Sequence, residues 1–113
     1  MKKELFIQEL ESLIRTLDFI KEEQAFIKKK LTSYIDYIEA SNLIVWAEDM
    51  QQQILNREAA LQLIKKDISS LKSSKIVEPQ LLKRGKQQVG YLEQEFILWK
   101  HTIDKQLDTV DIV

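Results

Sequence analysis

Three apolar stripes run through this chain in alternating steps of four and three residues, and they leave it little choice but long helices. The first is Phe6, Leu10, Leu13, Leu17, Ile20, Gln24, Ile27, Leu31, Tyr34, Ile38. The second is Leu43, Ala47, Met50, Ile54, Arg57, Leu61, Ile64, Ile68, Leu71. The third is Leu82, Gly85, Val89, Leu92, Phe96, Trp99, Ile103, continued by Gln106 or Leu107 and then Val110. Such spacing keeps one seam of a slightly underwound helix turned towards its neighbours. With two glycines and one proline in 113 residues there is little material for loops, and strand-like alternation is scarce. The expected fold is all-α.

The stripes lose phase twice. Between Ile38 and Leu43 the step is five, and Ala40-Ser41-Asn42 supplies turn or capping residues there. Ser73-Ser74-Lys75-Ile76-Val77 forms the second break, followed by Glu78-Pro79, and proline suits the first turn of a new helix. The expectation is one domain over residues 1–113, with helices at about 3–39, 43–73 and 79–109. Connections this short force an up-down-up antiparallel bundle with coiled-coil-like heptad packing.

Folding the first two helices about residues 40–41 sets Leu31 beside Met50, Ile27 beside Ile54 and Leu17 beside Ile64. The two polar intruders, Gln24 and Arg57, then fall opposite one another. Two heptad stripes can always be slid into register, so only the coincidence of the polar exceptions is informative. Folding the third helix back brings Leu82 to Leu71, Trp99 to Ile54 and Phe96 to the Gln24–Arg57 layer. Charges favour one arrangement of the helices. With helix 2 on the Ile7, Ile14, Lys21, Lys28, Ile35 flank of helix 1, Lys21 meets Glu58 and Ile35 meets Ile44, while Glu9 and Glu23 reach Lys86 and Lys100. The opposite arrangement opposes Glu58 to Glu93 and Lys65 to Lys86.

Gln24 and Arg57 are the candidate buried polar layer. Single polar residues in such seams set register and orientation at a cost in stability. The stem of Arg57 can bury while its guanidinium finds Glu23, Glu58 or Glu93. A ligand-binding arginine is the competing reading.

The sole histidine, His101, lies one residue off a seam position and is expected at the surface. A helical bundle with one surface histidine resembles histidine phosphotransfer domains, whose acceptor stands in a His-x-x-Lys-Gly-like context. That resemblance implies phosphotransfer at His101, but Asp104 and Lys105 occupy the lysine and glycine places. Metal binding in helical bundles uses Glu-x-x-His pairs directed inward, and none is present. Gly85 and Gly90 lack phosphate-loop spacing and point to close helix approach or local looseness. There is no cysteine and no readable Ser-His-Asp arrangement. The reading is of no enzyme, no cofactor and no metal.

A net charge of −1 argues against a generic binder of nucleic acid. Seven lysines or arginines between Lys65 and Lys86 join Lys2, Lys3 and Arg15 at one end of the bundle, and Asp36, Glu39, Glu48, Asp49, Asp104, Asp108 and Asp111 gather at the other. Two solvated ends of opposite sign are the simplest account, since the basic end lacks interleaved aromatics. No apolar run approaches the ~18 residues of a membrane span, and Glu4, Glu9 and Glu11 interrupt any leader-like start. The expected location is cytoplasmic.

The remaining surplus is apolar. Phe19 and Phe26 lie seven apart on helix 1; Leu55, Ala59 and Leu63 form a row on helix 2; Tyr91 and Leu98 lie seven apart on helix 3. Aligned exposed apolar residues usually mark a contact. Phe19, Phe26, Leu55, Leu63, Tyr91 and Leu98 are therefore the candidate interaction surface. The expectation is a non-catalytic helical interaction module, self-associating as a homodimer. Its alternatives are an export-type chaperone or adaptor that offers this face to a client helix, or phosphotransfer at His101.

Overall fold

The computed structural model describes residues 1–37, 41–74 and 76–108, in three helices: α1 (Lys3–Tyr37), α2 (Ser41–Ser73) and α3 (Pro79–Asp108). They make a rod of 57 × 19 × 18 Å. The start of α1, the end of α2 and the start of α3 fall where the stripes place them. α2 begins at Ser41, two residues before its first apolar position, so Asn42 belongs to the first turn and not to the connection. Residues that can cap a helix can equally open it, and apolar phase alone does not separate the two. Ile38, Glu39, Ala40, Lys75, Thr109, Val110 and Asp111 lie outside the described residues.

The helix ends follow local chemistry. Pro79 opens α3, where its missing N–H costs no helical hydrogen bond. The amides of Leu81 and Leu82 both donate to the carbonyl of Glu78, at 3.1 Å each, and close that first turn. At the end of α2, Ser74 donates from its amide to the Ser70 carbonyl at 3.0 Å and from Oγ to the Leu71 carbonyl at 2.9 Å. Two carbonyls of the last turn of α2 are thereby satisfied.

Cross-helix pairs establish the directions. Thr32–Gln51, Lys28–Glu58, Asp18–Lys65 and Glu11–Lys72 descend along α1 as they ascend α2, so these helices are antiparallel. Glu9–Lys86 and Glu23–Lys100 ascend together, so α1 and α3 are parallel. This is the up-down-up bundle, with α2 and α3 on the flanks of α1 that the charges favoured. Lys21 does not meet Glu58, however; Lys28 does, at 3.8 Å. The pairs Asp18–Lys65, Glu11–Lys72 and Thr32–Gln51 each stand one residue beyond a seam level on both helices. Helical side chains lean towards their own N-terminus, so each covers the surface one position before it. Glu58 reaches the next lysine on the same flank.

The seam residues are the core. Phe6, Leu10, Leu17, Ile20, Ile27, Leu31 and Tyr34 of α1 are buried against Ala47, Ile54, Leu61 and Ile68 of α2 and Leu82, Val89, Phe96, Trp99 and Ile103 of α3. Leu13, Met50, Ile64, Leu71 and Leu92 are partly buried around them. α2 and α3 each pack on α1 and touch one another far less. The reason lies in what they offer each other: Gln53, Asn56 and Arg57 on one side, Gln88 and Glu95 on the other. Long polar side chains hold the two backbones apart and leave a cleft floored by α1.

The glycines have no such role. An added Cβ at Gly85 would sit 3.5 Å from Leu13 Cδ1, an ordinary contact, and one at Gly90 would meet nothing within 4 Å. The expectation that they permit close helix approach is therefore corrected: neither position needs to be bare.

Candidate functional site

The cleft between α2 and α3 deepens midway into an open cavity of about 360 Å³. Its floor is Ile20 and Gln24 of α1. Gln53, Asn56, Arg57, Ala60 and Leu61 form the α2 wall, and Leu92, Glu95 and Phe96 the α3 wall. Gln24, Arg57 and Phe96 all line this one cavity.

Gln24 is 2% exposed, and its Oε1 accepts no hydrogen bond among the described residues. Arg57 is half-buried. Its guanidinium carbon stands 4.7 Å from the centroid of the Trp99 ring, a cation–π contact. The indole is itself anchored: Nε1 of Trp99 donates to Gln53 Oε1 at 3.1 Å, and Phe96 lies beside it with centroids 6.2 Å apart. Burial lowers the pKa of Arg57, and the charge of Glu95 pushes back in the other direction.

The carboxylate facing Arg57 is therefore Glu95, and not Glu23, Glu58 or Glu93. Glu23 accepts from Lys100 at 3.0 Å and Glu58 pairs with Lys28, so two of the three expected partners are engaged elsewhere. Glu95 immediately precedes the seam residue Phe96, and the sequence signal for it was there: the flank of α3 that faces α2 is the one Glu95 occupies.

The six exposed apolar candidates fall in two groups. Phe19 and Phe26, 56% and 55% exposed, stand on the outer side of α1. Leu55 follows buried Ile54 and lies between Gln51 and Glu58, both of which reach α1, so it edges the same side of the bundle. Leu63, Tyr91 and Leu98 each come two residues after a buried seam residue, Leu61, Val89 or Phe96. About 100° per residue turns them away from α1. The six candidates do not make one patch.

Ile97 joins the first group, and the stripes did not point to it. It is 58% exposed and shares with Phe19 a groove of about 330 Å³ between α1 and α3, which also takes in Ile20, Glu93, Phe96, Lys100, His101 and Asp104. The pairs Glu9–Lys86 and Glu23–Lys100 have the same offset in residue number, and that offset puts Ile97 level with Ile20. Charge pairing carried the information that apolar periodicity lacked.

His101 is exposed on the rim of this groove. Lys100 beside it is held by Glu23. Among the described residues no group of three or more His, Cys, Asp and Glu is placed to hold a metal ion, and no helix is long and apolar enough to cross a membrane. Compared with protein-family models, with curated proteins and with solved structures, the chain gives no match.

Proposed function

We propose that this chain is a non-catalytic helical interaction module that pairs with a second copy of itself through the outer side of α1. The observation behind this reading is the exposure of Phe19 and Phe26, one heptad apart, with Ile97 on one side and Leu55, 46% exposed, on the other. Each phenylalanine keeps apolar area in water at about 25 cal/mol per Å², and seating it against a partner recovers that energy. A two-fold pair lets the same patch serve both copies, which is the commonest way identical chains associate. The long parallel ridges of α1 suit such a contact, because side chains one heptad apart interleave with those of a facing helix.

A client helix would use the same surface, and purified protein separates the two possibilities. Sedimentation analysis at tens of micromolar should give twice the chain mass for the wild type and the chain mass for a variant with Phe19→Ser and Phe26→Ser. A monomeric wild type would defeat the self-pairing reading. So would an undiminished dimer in the double variant.

A further inference from the structure

The outer side of α1 carries a charged stripe beside its phenylalanines. Arg15, Glu22, Lys29 and Asp36 follow one another at seven-residue steps, and their charges alternate in sign. Glu22 and Lys29 come three residues after Phe19 and Phe26. At about 100° per residue this puts the stripe roughly 60° from the phenylalanines, on the side towards α2. All four charged residues are exposed, and none makes an ion pair among the described residues. The charges on the flanks of α1 behave differently: Glu9, Glu11, Asp18, Glu23 and Lys28 are each engaged by α2 or α3.

The alternation decides how a second copy can lie here. Two-fold pairing of parallel α1 helices would set each of the four charges against itself, a like-charge contact at every level. Antiparallel pairing about a point between Ala25 and Phe26 sets Arg15 against the partner's Asp36 and Glu22 against the partner's Lys29. Every contact is then of opposite sign. A slip of one heptad would oppose Arg15 to Lys29 and Glu22 to itself, so the pattern selects register as well as direction. Exposed pairs contribute little singly, but opposing like charges is penalised, and complementarity of this kind sets orientation more than affinity. The same register brings the two Phe26 side chains together beside the two-fold axis. We propose that the second copy lies antiparallel on α1 through its own α1, centred between residues 25 and 26. The alternating charges are what choose this arrangement. The proposal rests on the self-pairing reading above and adds the orientation and the residues that select it.

The chain has no cysteine, so Ser12→Cys gives a single site for a spin label. Pulsed dipolar spectroscopy of the labelled dimer should report roughly 40 Å between the labels, the axial separation of 27 residues at ~1.5 Å each in the antiparallel register. Parallel copies would bring them within about 20 Å, since packed helix axes stand ~8–10 Å apart. Sedimentation of charge variants supplies a second readout. Glu22→Lys opposes two cations at two places in the antiparallel dimer and should weaken it at least about fivefold. Adding Lys29→Glu to that variant restores opposite signs and should return the affinity to within about twofold of wild type. In a parallel dimer each position meets its own copy whatever its sign, so neither variant would change the affinity. A dimer with closely spaced labels, or one undiminished by Glu22→Lys, would overturn the orientation and leave self-pairing standing. A monomeric wild type would overturn both.

Discussion

The guanidinium of Arg57 rests over the indole of Trp99 at 4.7 Å, and this contact takes the place of an ion pair. It joins α2 to α3 across the cleft where their backbones are held apart. A cation–π contact of this kind contributes about 0.5–2 kcal/mol. Against it stands the desolvation of a half-buried cation, which shows in the lowered pKa of the group.

Arg57→Leu should therefore leave stability equal or higher, because replacing a buried charge by packing is often neutral or favourable by about 1–4 kcal/mol. Urea unfolding of the two proteins measures it. A loss above about 1 kcal/mol would mean that the guanidinium makes polar contacts the fold depends on.

Gln24→Leu should raise stability by about 1–2 kcal/mol. The amide fills nearly the same space as leucine, and removing it abolishes a buried carbonyl that has no donor among the described residues. An unchanged or lower urea midpoint would show that the carbonyl is satisfied in solution, with ordered water as its partner.

Gly90→Ala should stabilise by about 1 kcal/mol, since alanine is favoured over glycine inside a helix and a Cβ there meets nothing within 4 Å. Gly85→Ala should gain less, as the new methyl has to sit against Leu13. Thermal melts compare the three proteins; destabilisation by Gly90→Ala would contradict the helix geometry.

Tyr34 is 1% exposed, its hydroxyl has no partner among the described residues, and burial pushes its pKa above the ordinary 10.0. Above pH 10 the unfolded chain gives up this proton while the folded chain keeps it. The stability contributed by the neutral phenol is complete below that pH and is lost as pH rises towards the folded-state value. The stability difference between wild type and Tyr34→Phe should be constant from pH 7 to about pH 9.5 and move in favour of the phenylalanine variant at higher pH. Melting curves across that range decide it; a parallel decline of both proteins would show that Tyr34 does not titrate differently on folding.

Much of this molecule follows from periodicity and charge. Steps of four and three residues from Phe6 to Ile38 and from Leu82 to Ile103 specify which side of each helix is buried, because a helix repeats its faces whatever it packs against. Glu9, Glu23, Lys86 and Lys100 place α3 on the correct flank of α1, because like charges cannot share a flank cheaply. The opposition of Gln24 and Arg57 is legible for the same reason: two exceptions to one pattern reveal its register.

What Arg57 touches is only partly legible: the flank of α3 that faces α2 points to Glu95, but that the guanidinium rests on Trp99 depends on how far apart α2 and α3 stand. That spacing arises from three helices sharing one core, with α1 contacting both neighbours and those neighbours barely contacting each other. The separation of the exposed apolar residues into two groups has the same origin. Periodicity gives an angle on one helix, whereas a surface patch requires angles on several helices to converge in space. The charge pairs set the level of Ile97 along α1, and tertiary packing closes the groove it shares with Phe19.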